Sequence, residues 1–293
     1  MKSRISIRLG GRSIIAFAYH ANRKTAFHLC QDQRYKLGYS RALHQWHNLA
    51  RAQPRRRQTD PMNAAATRQT LEEAFRRIRA MDGSLNEQLQ TLASSSRERQ
   101  PEFAAAIERL VERLRQNGAG ENAPNVGEIM PPFFLPDENG HLVGLDQMLV
   151  DGPVAMTFHR GHWCPYCRVS INALARAHRQ VAACGGQIVA IMPDRQRYSS
   201  ELKVSGELLF PILTDMDNGY ALSLNLAIWV GAEMQKMMTG RQDLPAFQGN
   251  SSWMLPIPAT FVIGQDGRIR ARFVDPDYRK RMAVEDLIAA IKS

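Results

Sequence analysis

Residues 158–175, FHRGHWCPYCRVSINALA, constrain the fold of this chain more than any other stretch. An apolar run leads into them, two cysteines stand two residues apart at the junction, and a helical pattern leaves them. PVAMTFH (153–159) reads as a buried strand, residues 165–183 as a helix, and QIVAIM (187–192) as a second strand. Pro165 suits a first helical turn, where its missing N–H has no intrahelical partner to lose. A helix over 199–206, a short strand over 208–213 and a helix over 219–225 are expected next, before a less regular region at 227–253. ATFVIGQDGRIRARFV reads as a hairpin turning at Asp266-Gly267, and 284–291 as a closing helix. This succession predicts an α/β layered domain with a mixed sheet.

Upstream the pattern is helical only. Leu71, Phe75, Ile78 and Met81 share one face, and Gly83 ends that helix. Ser84 and Glu87 make a capping box for a second helix bearing Leu85, Leu89 and Leu92. After a break expected at Ser94-Ser95-Ser96, a third helix bears Phe103, Ile107, Leu110, Val111 and Leu114 and stops at Asn117-Gly118. These stripes predict a helical arm, residues 62–120, that lies on the main domain or joins copies of the chain. The stretch 118–132, rich in Gly, Pro and Asn, reads as a linker, and the α/β domain is placed at 121–293.

The net charge of +10 misleads, because residues 1–61 hold 13 Lys+Arg against 2 Asp+Glu while the rest holds 25 against 26. Basicity therefore says nothing about the body's substrate. The leader lacks periodicity, and its longest apolar stretch, 14–19, is short for a signal-peptide core. It is expected to be disordered, or upstream sequence ahead of a start at Met62. Its Arg-rich, acid-poor composition faintly resembles a transit peptide. Arg55-Arg56-Arg57 would attract nucleic acid or anionic lipid without specificity, and no specific nucleic acid is expected. No run approaches the roughly 18 apolar residues of a membrane span.

Four cysteines, Cys30, Cys164, Cys167 and Cys184, are too few and too uneven for a disulfide scaffold. A lone CxxC points to redox or metal chemistry in a reducing compartment, the cytoplasm above all. A cysteine at a first helical turn faces unpaired N–H groups and the positive dipole end, which favour thiolate. CxxC spacing lets one thiol attack and the other resolve. Arg160 and Arg168 flank the motif and would lower a thiol pKa further; His159 and His162 stand close by. A structural zinc site needs four ligands, and no second CxxC exists. A merely structural buried pair is the remaining alternative. Cys184 reads as a structural cysteine with a lesser chance of resolving, and Cys30 supports no role.

Three separated segments carry a family resemblance: VGEIMPPFFLPDENGHLVGL, FHRGHWCPYC and LPIPATFVIGQDGRI. Together they resemble the alkyl hydroperoxide reductase/thiol-specific antioxidant branch of the thioredoxin-fold superfamily, from about residue 126 onward. The resemblance implies a thioredoxin-like fold, a central mixed sheet flanked by helices. It implies that Pro258 is the cis-proline that faces the CxxC in such proteins. It also departs from the family's P-x-x-x-[TS]-x-x-C: with Cys167 as the peroxidatic cysteine, Cys164 holds the Thr/Ser place and Arg160 the Pro place. Pro258 stands where the family carries its catalytic Arg. This matches a subgroup in which CxxC replaces T-x-x-C.

The resemblance implies a thiol peroxidase acting on hydrogen peroxide or organic hydroperoxides through Cys167 and Cys164. The Cys164–Cys167 disulfide would be reduced by a thioredoxin- or glutathione-type thiol, with no metal and no organic cofactor. In the peroxiredoxin-like scheme Cys167 attacks first; in a thioredoxin-like one Cys164 does. A dithiol–disulfide oxidoreductase and a redox-sensing module are the alternatives, and a homodimer is possible. Arg160, and Arg279 or Arg281 near the C-terminus, are candidate donors, although arginines in DYRKR are more often surface charges. Trp163 and Tyr166 are expected to wall the pocket and shield the thiols. NLAIWVGAEMQKMM, with Trp229, Met234, Met237 and Met238, is expected to be a helix packed on the sheet or on a partner subunit.

Overall fold

The structure is a computed structural model that describes the strands Ser3–Leu9 (β1) and Arg12–Ala18 (β2), residues 73 and 75–78, and residues 80–293. The chain divides into two compact units, Met1–Gln58 and Thr59–Ser293. In the first, β1 and β2 pair antiparallel from Ser3↔Ala18 to Leu9↔Arg12. The expectation of disorder over the rest of residues 1–61, and Cys30 with it, lies outside the described residues.

The second unit is built on a five-stranded mixed sheet. Its strands are Val154–Phe158 (β5), Gln187–Met192 (β6), Ile212–Thr214 (β7), Ala259–Ile263 (β10) and Ile269–Val274 (β11), in the spatial order β11-β10-β5-β6-β7. β5, β6 and β7 run parallel, while β10 is antiparallel to both β5 and β11. Alternation sets the two faces. Val154, Met156 and Phe158 point to one side, where they meet Leu145, Met148 and Tyr220. Ala155, Ile188 and Ala190 point to the other, under Ile171, Leu174, Val181 and Ile288. Helix Leu145–Asp151 (α3) and the short Gly219–Ser223 (α6) cover the first face. Helices Pro165–Ala183 (α4), Gln196–Gly206 (α5) and Val284–Lys292 (α9) cover the second. Short pairs Phe134–Pro136 (β3) with Leu142–Gly144 (β4), and Ala227–Trp229 (β8) with Met254–Pro256 (β9), flank the sheet. The mixed α/β architecture expected from the sequence is present.

The arm is two helices, Leu85–Arg99 (α1) and Pro101–Gln116 (α2), preceded by a helical turn at 75–78. The capping box forms: Ser84 Oγ accepts from the Glu87 N–H at 3.3 Å, and the Ser84 N–H donates to the Glu87 carboxylate at 2.7 Å. The break expected at Ser94–Ser96 is absent, and α1 runs through it. Serine within a helix costs only a few tenths of a kcal/mol. Pro101 is the true punctuation, because its ring forces Gln100 out of helical geometry, to φ −139° and ψ 63°.

A third apolar cluster joins arm and domain. Leu89, Leu92, Ile107, Leu110 and Val111 pack with Tyr166, Cys167 and Val169 of α4. Each such side chain contributes about 1.5–3 kcal/mol on leaving water, which docks the arm on the helix that bears the cysteines. The methionine stretch is a helix only from Ala232 to Met238 (α7), with Met234 and Met238 buried. Trp229 lies on β8 and is 49% exposed. A final short helix, Leu244–Gln248 (α8), precedes β9. Among the described residues no helix is long and apolar enough to cross a membrane.

Candidate active site

β5 ends at Phe158, and the chain turns through His159-Arg160-Gly161 before α4 begins. Cys164 takes the N-cap position of α4 (φ −83°, ψ 116°), followed by Pro165 at the first helical position and Cys167 in the first turn. Both thiols are free, and they are 1% and 0% exposed. The Arg160 N–H donates to Cys167 Sγ at 3.3 Å. Arg281, 114 positions away, donates from Nη2 to the same sulfur at 3.6 Å.

Both arginines are buried, at 5% and 4% exposure. The Arg160 guanidinium lies over the rings of Tyr278 (3.8 Å) and Trp163 (5.2 Å). Arg281 Nη1 donates to the carbonyls of Tyr278 and Lys280 at 2.5 and 2.6 Å. Among the described residues neither makes an ion pair with a carboxylate. Two cations out of water with no acid beside them demand an anion, and the dithiol is placed to supply it.

The pair divides its protons unequally. Burial opposes ionisation of Cys164, but the Cys167 thiol and N–H, together with the charges of Arg160 and Arg281, bring it from 9.0 down to about 6. Burial and the adjacent Cys164 sulfur push Cys167 the other way, to about 12. Ionisation is thus favoured at Cys164 and opposed at Cys167. His159 is held neutral, its pKa lowered by burial.

The structure brings Cys164, Cys167, Arg160, Trp163 and Arg281 together. Arg281 is not the surface charge that DYRKR suggests, whereas Arg279 binds Glu108 and Asp277 instead. Pro258 is buried immediately ahead of β10, but no cis peptide occurs among the described residues, so the expected cis bond is absent. Tyr278, which stacks on Arg160 and meets Tyr166 edge-on at 5.4 Å, went unremarked in the sequence. Its only signal was an aromatic within a basic loop. Tyr166 does wall the site; Cys184 is half-buried at the C-cap of α4 and takes no part in it. Among the described residues no three His, Cys, Asp or Glu side chains converge as metal ligands.

Several solved structures are similar. Peroxidoxin BcpB from Mycobacterium tuberculosis is 20% identical, with a TM-score of 0.45 over 57% of this chain and 96% of that one. A cysteine-to-serine mutant of the peroxiredoxin 6 of Arenicola marina is 16% identical, with a TM-score of 0.45 over 58% of this chain and 73% of that one. The bacterioferritin comigratory protein of Xanthomonas campestris is 12% identical, with a TM-score of 0.43 over 58% and 98%. No curated protein matches the chain. The sequence profile of the AhpC/TSA family matches residues 126–272, which begin ahead of β3 and run through nearly all of β11. With its helix-flanked mixed sheet and the CxxC at the strand-to-helix junction, the domain has a thioredoxin-like fold, and the chain belongs to the AhpC/TSA family.

Proposed function

We propose that this protein is a thiol-dependent peroxidase in which Cys164 attacks and Cys167 resolves. One observation carries the reading: the CxxC dithiol lies against two buried arginines that have no carboxylate partner among the described residues, the Arg160 N–H and Arg281 Nη2 both reaching Cys167 Sγ. Family membership supports the same chemistry. The Cys164 thiolate attacks the terminal peroxide oxygen, the O–O bond breaks, and a hydroxide or alkoxide departs. In this reading Arg160 and Arg281 stabilise that developing charge, the task for which the family pattern uses other groups. Cys164 becomes a sulfenic acid, and the Cys167 sulfur displaces its oxygen as water to give the disulfide. An external thiol of thioredoxin or glutathione type then restores the dithiol. The chemistry suits a reducing compartment.

The order of attack is the reverse of the one that the family pattern suggests. Cys167 aligns with the peroxidatic position, yet Cys164 carries the lowered pKa and the helix N-cap. A second reading, disulfide exchange with protein substrates, draws on the same fact, since an N-terminal attacking cysteine is what such exchange requires. It also draws on Cys164 holding the place of the family's threonine.

The deciding experiment mixes pre-reduced protein with hydrogen peroxide in stopped flow and follows tryptophan fluorescence, alongside Cys164→Ser and Cys167→Ser. A rate constant orders of magnitude above that of free cysteine, lost in Cys164→Ser and kept for the first step in Cys167→Ser, is expected. A rate equal to that of free cysteine would remove the peroxidase reading and leave disulfide exchange.

A further inference from the structure

His159 is 1% exposed at the end of β5, and its ring nitrogens are not equivalent. Nε2 lies 3.0 Å from Thr157 Oγ1. Thr157 already donates its own hydroxyl proton to the Val189 carbonyl at 3.1 Å. Its oxygen can therefore only accept from the ring, which places the imidazole proton on Nε2 and leaves Nδ1 as a bare lone pair. Nδ1 is buried and has no hydrogen-bond partner.

The ring borders Cys167 closely enough for each to bias the other's ionisation. The next residue, Arg160, donates its N–H to Cys167 Sγ. His159 and Arg281 also wall one narrow cleft with Ser170 and Thr260. Disulfide formation releases the Cys167 proton, and burial, which persists after Cys164 has reacted, opposes its loss to solvent, so a neighbouring group must take it. Arg281 and the Arg160 N–H only donate. Once Cys164 has reacted it is no longer a thiolate. The serine and threonine hydroxyls are far weaker bases than imidazole.

We propose that His159 is the general base of the resolving step, its Nδ1 taking the proton from Cys167 Sγ as that sulfur attacks Cys164. The proposal rests on the reading above in which Cys164 reacts first. As the S–S bond forms, the S–O bond of the Cys164 sulfenic acid breaks. The departing hydroxide takes the proton from Nδ1 and leaves as water, returning His159 to its neutral form. In a mixed disulfide the bond broken is S–S, and the leaving thiolate takes the proton.

The test uses the full chain carrying Cys30→Ser and Cys184→Ser, in which His159→Gln keeps an N–H for Thr157 but offers no base. After mixing with hydrogen peroxide, sulfenic acid at Cys164 is trapped with dimedone and weighed by mass spectrometry, while fluorescence follows disulfide formation. The first phase should match the parent. The second should slow on the order of a hundredfold, and sulfenic acid should accumulate. An unchanged second phase, or equal slowing of both, overturns the proposal. Thr157→Val, which releases the tautomer, should slow the second phase alone and decides the matter if His159→Gln does not fold; an unchanged second phase there overturns it.

A second arm, needing no peroxide, uses dithionitrobenzoate: Cys164 releases the first thionitrobenzoate and Cys167 the second. A parent inert to peroxide but releasing both would end the peroxidase reading while still testing His159. Slowing of the second release alone in His159→Gln supports the base, and parallel release overturns it. A parent inert to both reagents overturns both.

Discussion

Arg279 grips Glu108 with hydrogen bonds of 2.6 and 3.0 Å, tying the loop after β11 to α2 of the helical arm. The same guanidinium holds Asp277 at 2.7 and 2.9 Å, and two residues later Arg281 reaches Cys167. The clasp thus fixes both the arm that covers the dithiol and the loop that supplies its cation. Glu108→Ala should cost no more than about 1 kcal/mol, because the carboxylate is half exposed and solvent screens the pair. Alkylation of Cys164 by iodoacetamide should nevertheless accelerate as the arm loosens, as mass spectrometry would read. Glu108→Asp, which keeps a carboxylate for Arg279 and leaves the Asp277 contact intact, should alkylate nearer the rate of the parent. No change in alkylation would mean that reagents reach the thiols without any movement of the arm.

Reduced protein should gain stability as pH rises from about 6.5 to 9. Cys164 is displaced downward, from 9.0 to about 6, so the unfolded chain binds the extra proton in that window and stability climbs with pH. The slope is at most about 1.4 kcal/mol per unit. Its contribution is complete above 9.0 and is lost as pH falls through 6. Cys167, displaced upward to about 12, acts in the opposite sense only above 9.0. His159, lowered from 6.5, adds a gain of the same sign as Cys164, confined below that value. Thermal melts across the window should therefore slope in the parent and flatten in Cys164→Ser. Equal slopes would show that Cys164 is not the group that holds the negative charge.

The sheet was legible because its strands announce themselves: PVAM and IVAIM are continuously apolar, as strands buried on both faces must be. β6 occupies Gln187–Met192 and α4 Pro165–Ala183, the spans expected. The CxxC was legible from spacing alone. Arg281 was not, because nothing local separates a buried arginine from its neighbours in DYRKR. Arg279, Lys280 and Arg281 differ only in what the fold puts opposite them: Glu108, Asp275 and a sulfur. The serine run in α1 misled in the other direction, since its composition suggested a turn while the proline five residues later set the real boundary.

Removing the Arg281 charge while keeping the volume separates its chemistry from its packing. Arg281→Met should leave a folded protein, losing about 1–3 kcal/mol because the carbonyls of Tyr278 and Lys280 lose their donor. The pH midpoint of Cys164 alkylation should move up from about 6, and the peroxide rate at neutral pH should fall. A midpoint that stays in place would assign the lowering to Cys167 and Arg160 without Arg281.

The approach of β5 to β6 depends on a position where a side chain cannot exist. Gly152 lies one residue ahead of the proline that leads into β5, at φ +154°, a region that L-residues avoid. A Cβ there would stand 2.0 Å from the Gly185 carbonyl oxygen, and that contact is backbone to backbone, so no rotamer relieves it. The starts of both strands would have to separate, pulling Val154 from its register with Gln187. Because β5 aims His159 and Arg160 at the cysteines, the damage should reach the site as well as the core. Gly152→Ala should cost more than about 3 kcal/mol and slow the peroxide reaction, whereas Gly127→Ala, at φ +88° but with nothing within 4 Å, should pay only the backbone strain of about 1–2 kcal/mol. Denaturant unfolding of the two variants side by side checks this, and comparable losses would show that the close approach at Gly152 relaxes without disturbing the sheet.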